Sequence, residues 1–247
     1  MSDEAATDAR PAFYALERGG WRDYVTLLHP PYTLWHLSYV VVGASLAPRF
    51  HAGLLGLTLI AFFLALGIGA HALDEFNGRP LRTEIPDRIL LALALVSVGA
   101  AAAIGIVVAA RRDLWLLALV GAGCVLVAAY NLELFGGVLH GDLWFGLAWG
   151  AFPLLTAYFA SARELRLEAI AAAAFATLLS LAQRYLSTQV RDVRRRVASV
   201  SGTLTRRDGS TQPLTAEMLT LAAERALRAL TVAVIALALA LVLLRVT

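Results

Sequence analysis

The chain has 247 residues, 59% of them hydrophobic and only 16% charged, with a mean hydropathy of +0.70. That balance excludes an ordinary soluble domain and indicates an integral membrane protein. All 21 basic residues are arginine and the formal net charge is +3, so a retinal protein, which needs a lysine for its Schiff base, is excluded too.

In chain order, the opening MSDEAATDARPAFYALERGGWRDY is polar and lacks the basic, apolar, small-residue order of a cleaved signal peptide. Residues 1–32 therefore read as a cytoplasmic or interfacial segment, in which AFYALERGGWRDYVTLL mixes aromatics and arginine as a surface helix does. Residues 33–247 read as one transmembrane helical domain. A bilayer core takes about 20 apolar residues of helix. By that rule seven spans are predicted, at 33–49, 52–72, 88–110, 113–130, 142–160, 167–187 and 227–245. Pro30 and Pro31 suit the start of the first span and Pro48 its end. TAEMLTLAAERALRA, before the last span, reads as a second surface-lying amphipathic segment. Cys124, the single cysteine, lies inside an apolar run, which excludes an intrachain disulfide and a cysteine metal site.

Arginine placement sets the orientation, because loops kept in the cytoplasm carry the basic excess. With the N-terminus inside, 15 arginines fall on the inner side and 6 on the outer. A cytoplasmic N-terminus in a cell or inner membrane is expected. The two most polar stretches, residues 71–88 after the second span and 183–213 after the sixth, then share the cytoplasmic face.

The first stretch, AHALDEFNGRPLRTEIPDR, carries Asp74 and Glu75, flanked by His71, Asn77, Arg79 and Arg82. Read on their own, these carboxylates suit a solvated helix end paired with Arg79 or Arg82. The second stretch, QRYLSTQVRDVRRRV, carries Gln183, Arg184, Arg191, Asp192 and Arg194. It reads either as an anchor on anionic lipid or as a cationic grip on phosphate, which arginine matches with a planar, bidentate fork. Tyr130, Asn131, Glu133 and His140 fall on the same side. His29, His36 and His51 offer no pair at one depth for haem. No nucleic-acid partner is expected.

The spacing resembles the UbiA superfamily of intramembrane aromatic prenyltransferases. HPPYTLWHLSYVVVGASLA resembles its opening helix, AHALDEFNGRPLRTEIP its first acidic motif, YLSTQVRDVRRRVASVSGTLT its second, and YNLELFGGVLHGDLWFGLAWGAFPLLTAYFA a region of the menaquinone-type naphthoate prenyltransferases. The resemblance spans roughly residues 30–230. It implies an all-α, UbiA-like bundle that moves an isoprenyl group from a polyprenyl diphosphate to a lipophilic, quinone-precursor-like acceptor. It further implies Mg2+ held by Asp74, Glu75 and Asp192, which would be the catalytic set. His71, Asn77, Arg79, Tyr130, Asn131, His140, Gln183, Arg184, Arg191 and Arg194 would bind substrate, with Tyr130 and Trp149 shielding an allylic cation. The acidic motifs depart from the family's: His71 stands for an Asn, and Gln189 and Arg196 occupy positions expected for acids. Family members commonly have eight or nine spans, so a partner subunit or a second copy would complete the bundle. Two alternatives follow: a degenerate relative that binds lipid or quinone or serves as a membrane-complex subunit, and a relative with altered chemistry such as terpene cyclisation.

Overall fold

The computed structural model describes residues 10–247. Residues 1–9 of the predicted N-terminal segment lie outside the described residues. Each predicted apolar run forms a helix. A short α1 (Trp21–Leu27) precedes α2 (Pro30–Leu46), α3 (Ala52–Phe76), α4 (Asp87–Arg112), α5 (Leu116–Asn131), α6 (Asp142–Ala162), α7 (Leu167–Arg196) and α8 (Ala216–Val246). Five of these, α3, α4, α6, α7 and α8, are long and apolar enough to cross a membrane; α2 has 17 residues and α5 has 16. The fold is 75% helical and nearly all-α.

The helices run alternately up and down, so their ends gather in two layers. At one end, arginines supply the donors that helix C-termini lack. Arg112 of α4 donates to the Ala160 and Ser161 carbonyls of α6, and Arg245 of α8 to the Ser45 and Ala47 carbonyls of α2. The other end collects the start of α2, the end of α3, the end of α5, the start of α6 and the end of α7, where the two polar stretches meet in one cleft. Helix α6 is the axle of the bundle. Its most apolar window is 56% buried, against 22% in α4 and 17% in α8, whose apolar faces look outward.

Small residues let the inner helices touch backbone to backbone, the usual basis of packing where lipid is as apolar as leucine. A Cβ on Gly43 of α2 would lie 2.1 Å from the Leu154 oxygen of α6, and one on Gly150 of α6 would lie 2.5 Å from the Ala176 oxygen of α7. Both α3 and α6 widen into π-helical turns, at Phe63–Ala70 and Leu147–Ala151. Such turns commonly mark functional positions. Here they carry Leu66 and Trp149, which pack in one apolar cluster with Tyr130 and Val127.

The structure corrects two surface readings. TAEMLTLAAERALRA is the first half of the single 31-residue helix α8, started by Thr215, whose hydroxyl accepts from the Met218 N–H at 3.3 Å. AFYALERGGWRDYVTLL is not one surface helix. Only Trp21–Leu27 is helical, while Ala12 and Ala15 are buried against the polar end of the bundle. A small antiparallel hairpin, β1 (Thr203–Thr205) and β2 (Thr211–Pro213), was not expected; it lies between α7 and α8 and turns through Asp208 and Gly209.

Candidate functional site: a cationic cleft joined to an apolar groove

The cleft has a volume of about 430 Å3 and brings together most of the predicted site residues: His71, Asp74, Asn77, Tyr130, Asn131, His140, Gln183, Arg184, Arg191 and Asp192. Helical geometry selects them. His71 and Asp74 lie three residues apart on one face of α3, and Arg184, Thr188, Arg191 and Arg195 follow one another at spacings of four, three and four along α7.

Glu75, Arg79 and Arg194 are not among the cleft-lining residues. The Glu75 carboxylate is fully buried and accepts from the Leu81 N–H at 2.8 Å, the Thr83 N–H at 2.7 Å and the Thr83 hydroxyl at 2.9 Å. It closes the loop between α3 and α4. Arg79 serves the same loop: its guanidinium donates to the Thr83 and Ile85 carbonyls at 3.0 and 2.6 Å and pairs with Asp87. The loop backbone bends sharply, with Arg79 and Arg82 at positive φ. Arg194 turns to α8 and pairs with the buried Glu224 at 2.6 Å.

Within the cleft the polar groups fall into three sets. Arg184 is a junction whose guanidinium meets the Asp142 carboxylate, the Tyr130 hydroxyl and the His140 carbonyl. Tyr130 in turn stacks on His140 with ring centroids 4.5 Å apart and meets Trp149 edge-on at 5.2 Å. Asn77 donates to the Asn131 carbonyl at 3.1 Å, which ties α3 to α5. On the rim, Arg191 donates to the Thr188 hydroxyl at 3.0 Å and Arg195 to the Pro11 carbonyl at 3.2 Å.

Sequence reasoning did not assign four contributors to the site. Arg195 is one; the spacing along α7 could have found it. Tyr14 arrives from the N-terminal segment and packs edge-to-face on Tyr32 at 5.4 Å. Burial pushes the Tyr14 phenol well above its ordinary pKa, so it stays a hydrogen-bond donor. His29 and His71 lie with ring centroids 4.1 Å apart. Their Nδ1 atoms are held by the Leu27 and Gly67 carbonyls at 2.9 and 3.1 Å. Burial, and then the neighbouring His71, hold the His29 pKa well below its ordinary value. His36 reaches the cleft from α2, and its Nδ1, like the Gln183 Oε1, is buried without a hydrogen-bond partner among the described residues.

This donor set offers magnesium no cage of protein ligands. Glu75 is saturated, Asp192 lies 3.6 Å from Arg196, and among the described residues no three of His, Cys, Asp and Glu converge as ligands. Charge in the lining leans the other way, with four arginines against three carboxylates.

Beside the cleft runs a groove walled by α3, α4, α5 and α6, lined almost entirely by apolar side chains such as Phe62, Val120 and Phe152. Leu66 and Trp149 line both cavities. The arrangement suits an amphiphile whose anionic head sits among arginines and whose hydrocarbon tail lies between helices. No family model matches the chain, and neither does any curated protein or solved structure.

Proposed function

We propose that this chain is a UbiA-like membrane protein of seven crossings, with its polar end on the cytoplasmic face, that transfers an isoprenyl group from a polyprenyl diphosphate to a lipophilic, quinone-precursor-like acceptor. One observation carries the reading: the arginine-lined cleft and the apolar groove share Leu66 and Trp149 as a common wall. A diphosphate head and an isoprenyl tail need those two environments side by side.

In this account the diphosphate lies against Arg191 and Arg195, and the allylic carbon sits near Tyr130 and Trp149, whose π faces favour developing positive charge. The allylic carbon–oxygen bond breaks with both electrons leaving on the diphosphate. The arginines offset that charge as it develops. The acceptor lies on the cleft floor against His36 and Gln183, whose unpartnered atoms meet its polar groups. Its electrons form the new bond to carbon, and its proton leaves to a base in the cleft.

A second reading is a lipid- or quinone-binding protein without transfer chemistry. The use of Glu75 to close a loop favours it. Incubating the purified protein with radiolabelled geranylgeranyl diphosphate and a naphthoate acceptor, with and without magnesium, separates the two. Acceptor-dependent release of diphosphate, with label in a new lipid, supports transfer; binding without release supports the second reading; neither binding nor release removes the transfer reading.

A further inference from the structure

We infer that the cleft recognises the phosphates of its ligand through Arg191 and Arg195, without a magnesium ion. The inference rests on the reading above that an isoprenyl diphosphate is the ligand, and it reverses the role expected of the acidic motifs.

Three observations lead to it. First, of the three carboxylates predicted to hold metal, only Asp74 faces the cleft without a hydrogen bond or ion pair among the described residues. Glu75 is consumed by the Leu81 and Thr83 donors, and Asp192 sits beside Arg196. Second, Arg191 and Arg195 stand one helical turn apart on the same face of α7 and both line the cleft. Among the described residues no carboxylate lies within ion-pair distance of either. Among the described residues the only hydrogen bonds of their guanidinium groups are those to Thr188 and Pro11. A guanidinium has five N–H donors, so most of these are open to a ligand. Third, two adjacent like charges repel, and a divalent cation beside them would add to the repulsion. An anion removes it, and phosphate oxygens match the arginine fork. Tyr14, protonated and lining the same wall, adds a neutral donor.

The two sources of such a head group are an isoprenyl diphosphate and a phosphate-bearing membrane lipid. The test uses the full chain in phosphatidylcholine nanodiscs and radiolabelled farnesyl diphosphate, with EDTA or with magnesium. Affinity is expected to agree within about threefold between the two conditions. Arg191→Gln and Arg195→Gln are each expected to weaken it about tenfold or more. Asp74→Asn, which removes a negative charge beside the head group, is expected to leave binding unchanged or tighten it, and it keeps the test decisive if an arginine variant fails to fold. Competition by dioleoyl phosphatidic acid extends the site to phosphate lipids in general, and its absence restricts the site to diphosphates; both support the arginine grip. Equal competition by farnesol overturns it. Binding that requires magnesium, or that Asp74→Asn abolishes, overturns the inference and leaves the transferase reading standing. No binding in either condition overturns both.

Discussion

Glu75 and Thr83 are joined twice: the Thr83 N–H and hydroxyl both donate to Glu75 Oε1, at 2.7 and 2.9 Å. One residue earlier, Asp74 faces the cleft. Two adjacent acids thus have separate surroundings, one closing a loop and one lining the cleft. Glu75→Ala leaves the Leu81 and Thr83 donors unsatisfied inside the protein, at a cost of about 3 kcal/mol. A lowered unfolding temperature in detergent is the expected result, with the remaining folded fraction binding farnesyl diphosphate at parental affinity. Unchanged stability with lost binding would instead make Glu75 a ligand-binding residue.

The contact of α6 with α2 and α7 depends on Gly43 and Gly150. Gly150→Ala forces a methyl against the Ala176 backbone, which cannot give as a side-chain tip would, and is expected to cost about 1–3 kcal/mol. Gly99→Ala on α4, where a Cβ meets nothing within 4 Å, is expected to stay within about 0.5 kcal/mol of the parent. Comparing the temperatures at which each variant loses its monodisperse peak checks the pair.

His29 caps the start of α2 in the left-handed region and is buried, with its pKa well below the usual value. The fold holds the ring neutral, whereas the unfolded chain takes up a proton below about pH 6.5. Stability from this group is therefore present above that pH and lost as pH falls below it. Thermal unfolding between pH 7.5 and 5 is expected to show that slope, and His29→Gln to flatten it. An identical slope in the variant would assign it elsewhere.

His36 Nδ1 and Gln183 Oε1 are buried with no hydrogen-bond partner among the described residues. Replacing such groups with apolar ones of similar shape costs the fold little. His36→Phe and Gln183→Leu are expected to keep or raise the unfolding temperature while raising the KM for acceptor. A large drop in stability with unchanged kinetics would show that both groups serve packing alone.

The long helices were legible because each contains a long, mainly apolar run. The meeting of the two polar stretches followed from counting alternate crossings. Which side chain of each stretch faces inward was harder to read. Adjacent helical residues diverge by about 100°, so Asp74 and Glu75 part company, as do Arg194 and Arg195. Only packing against α5 and α8 decides which one the cleft receives. The spacing from Arg184 to Arg195 carried that information along α7. The Asp208–Gly209 pair likewise signalled the hairpin, and Thr215 the true start of α8. Nothing local in the sequence brings Tyr14 over the cleft or sets His29 against His71, since those contacts join distant segments.

Cys124 offers the most direct test that head cleft and tail groove serve one ligand, because it is the only cysteine and lines the groove, away from the arginines. The measurement is the rate of Cys124 alkylation by N-ethylmaleimide, followed by intact mass, with and without saturating geranylgeranyl diphosphate. The account predicts strong slowing by the ligand, and in Arg191→Gln the same slowing only at about tenfold higher ligand concentration or more. Alkylation at an unchanged rate, with the ligand shown to be bound, would contradict it.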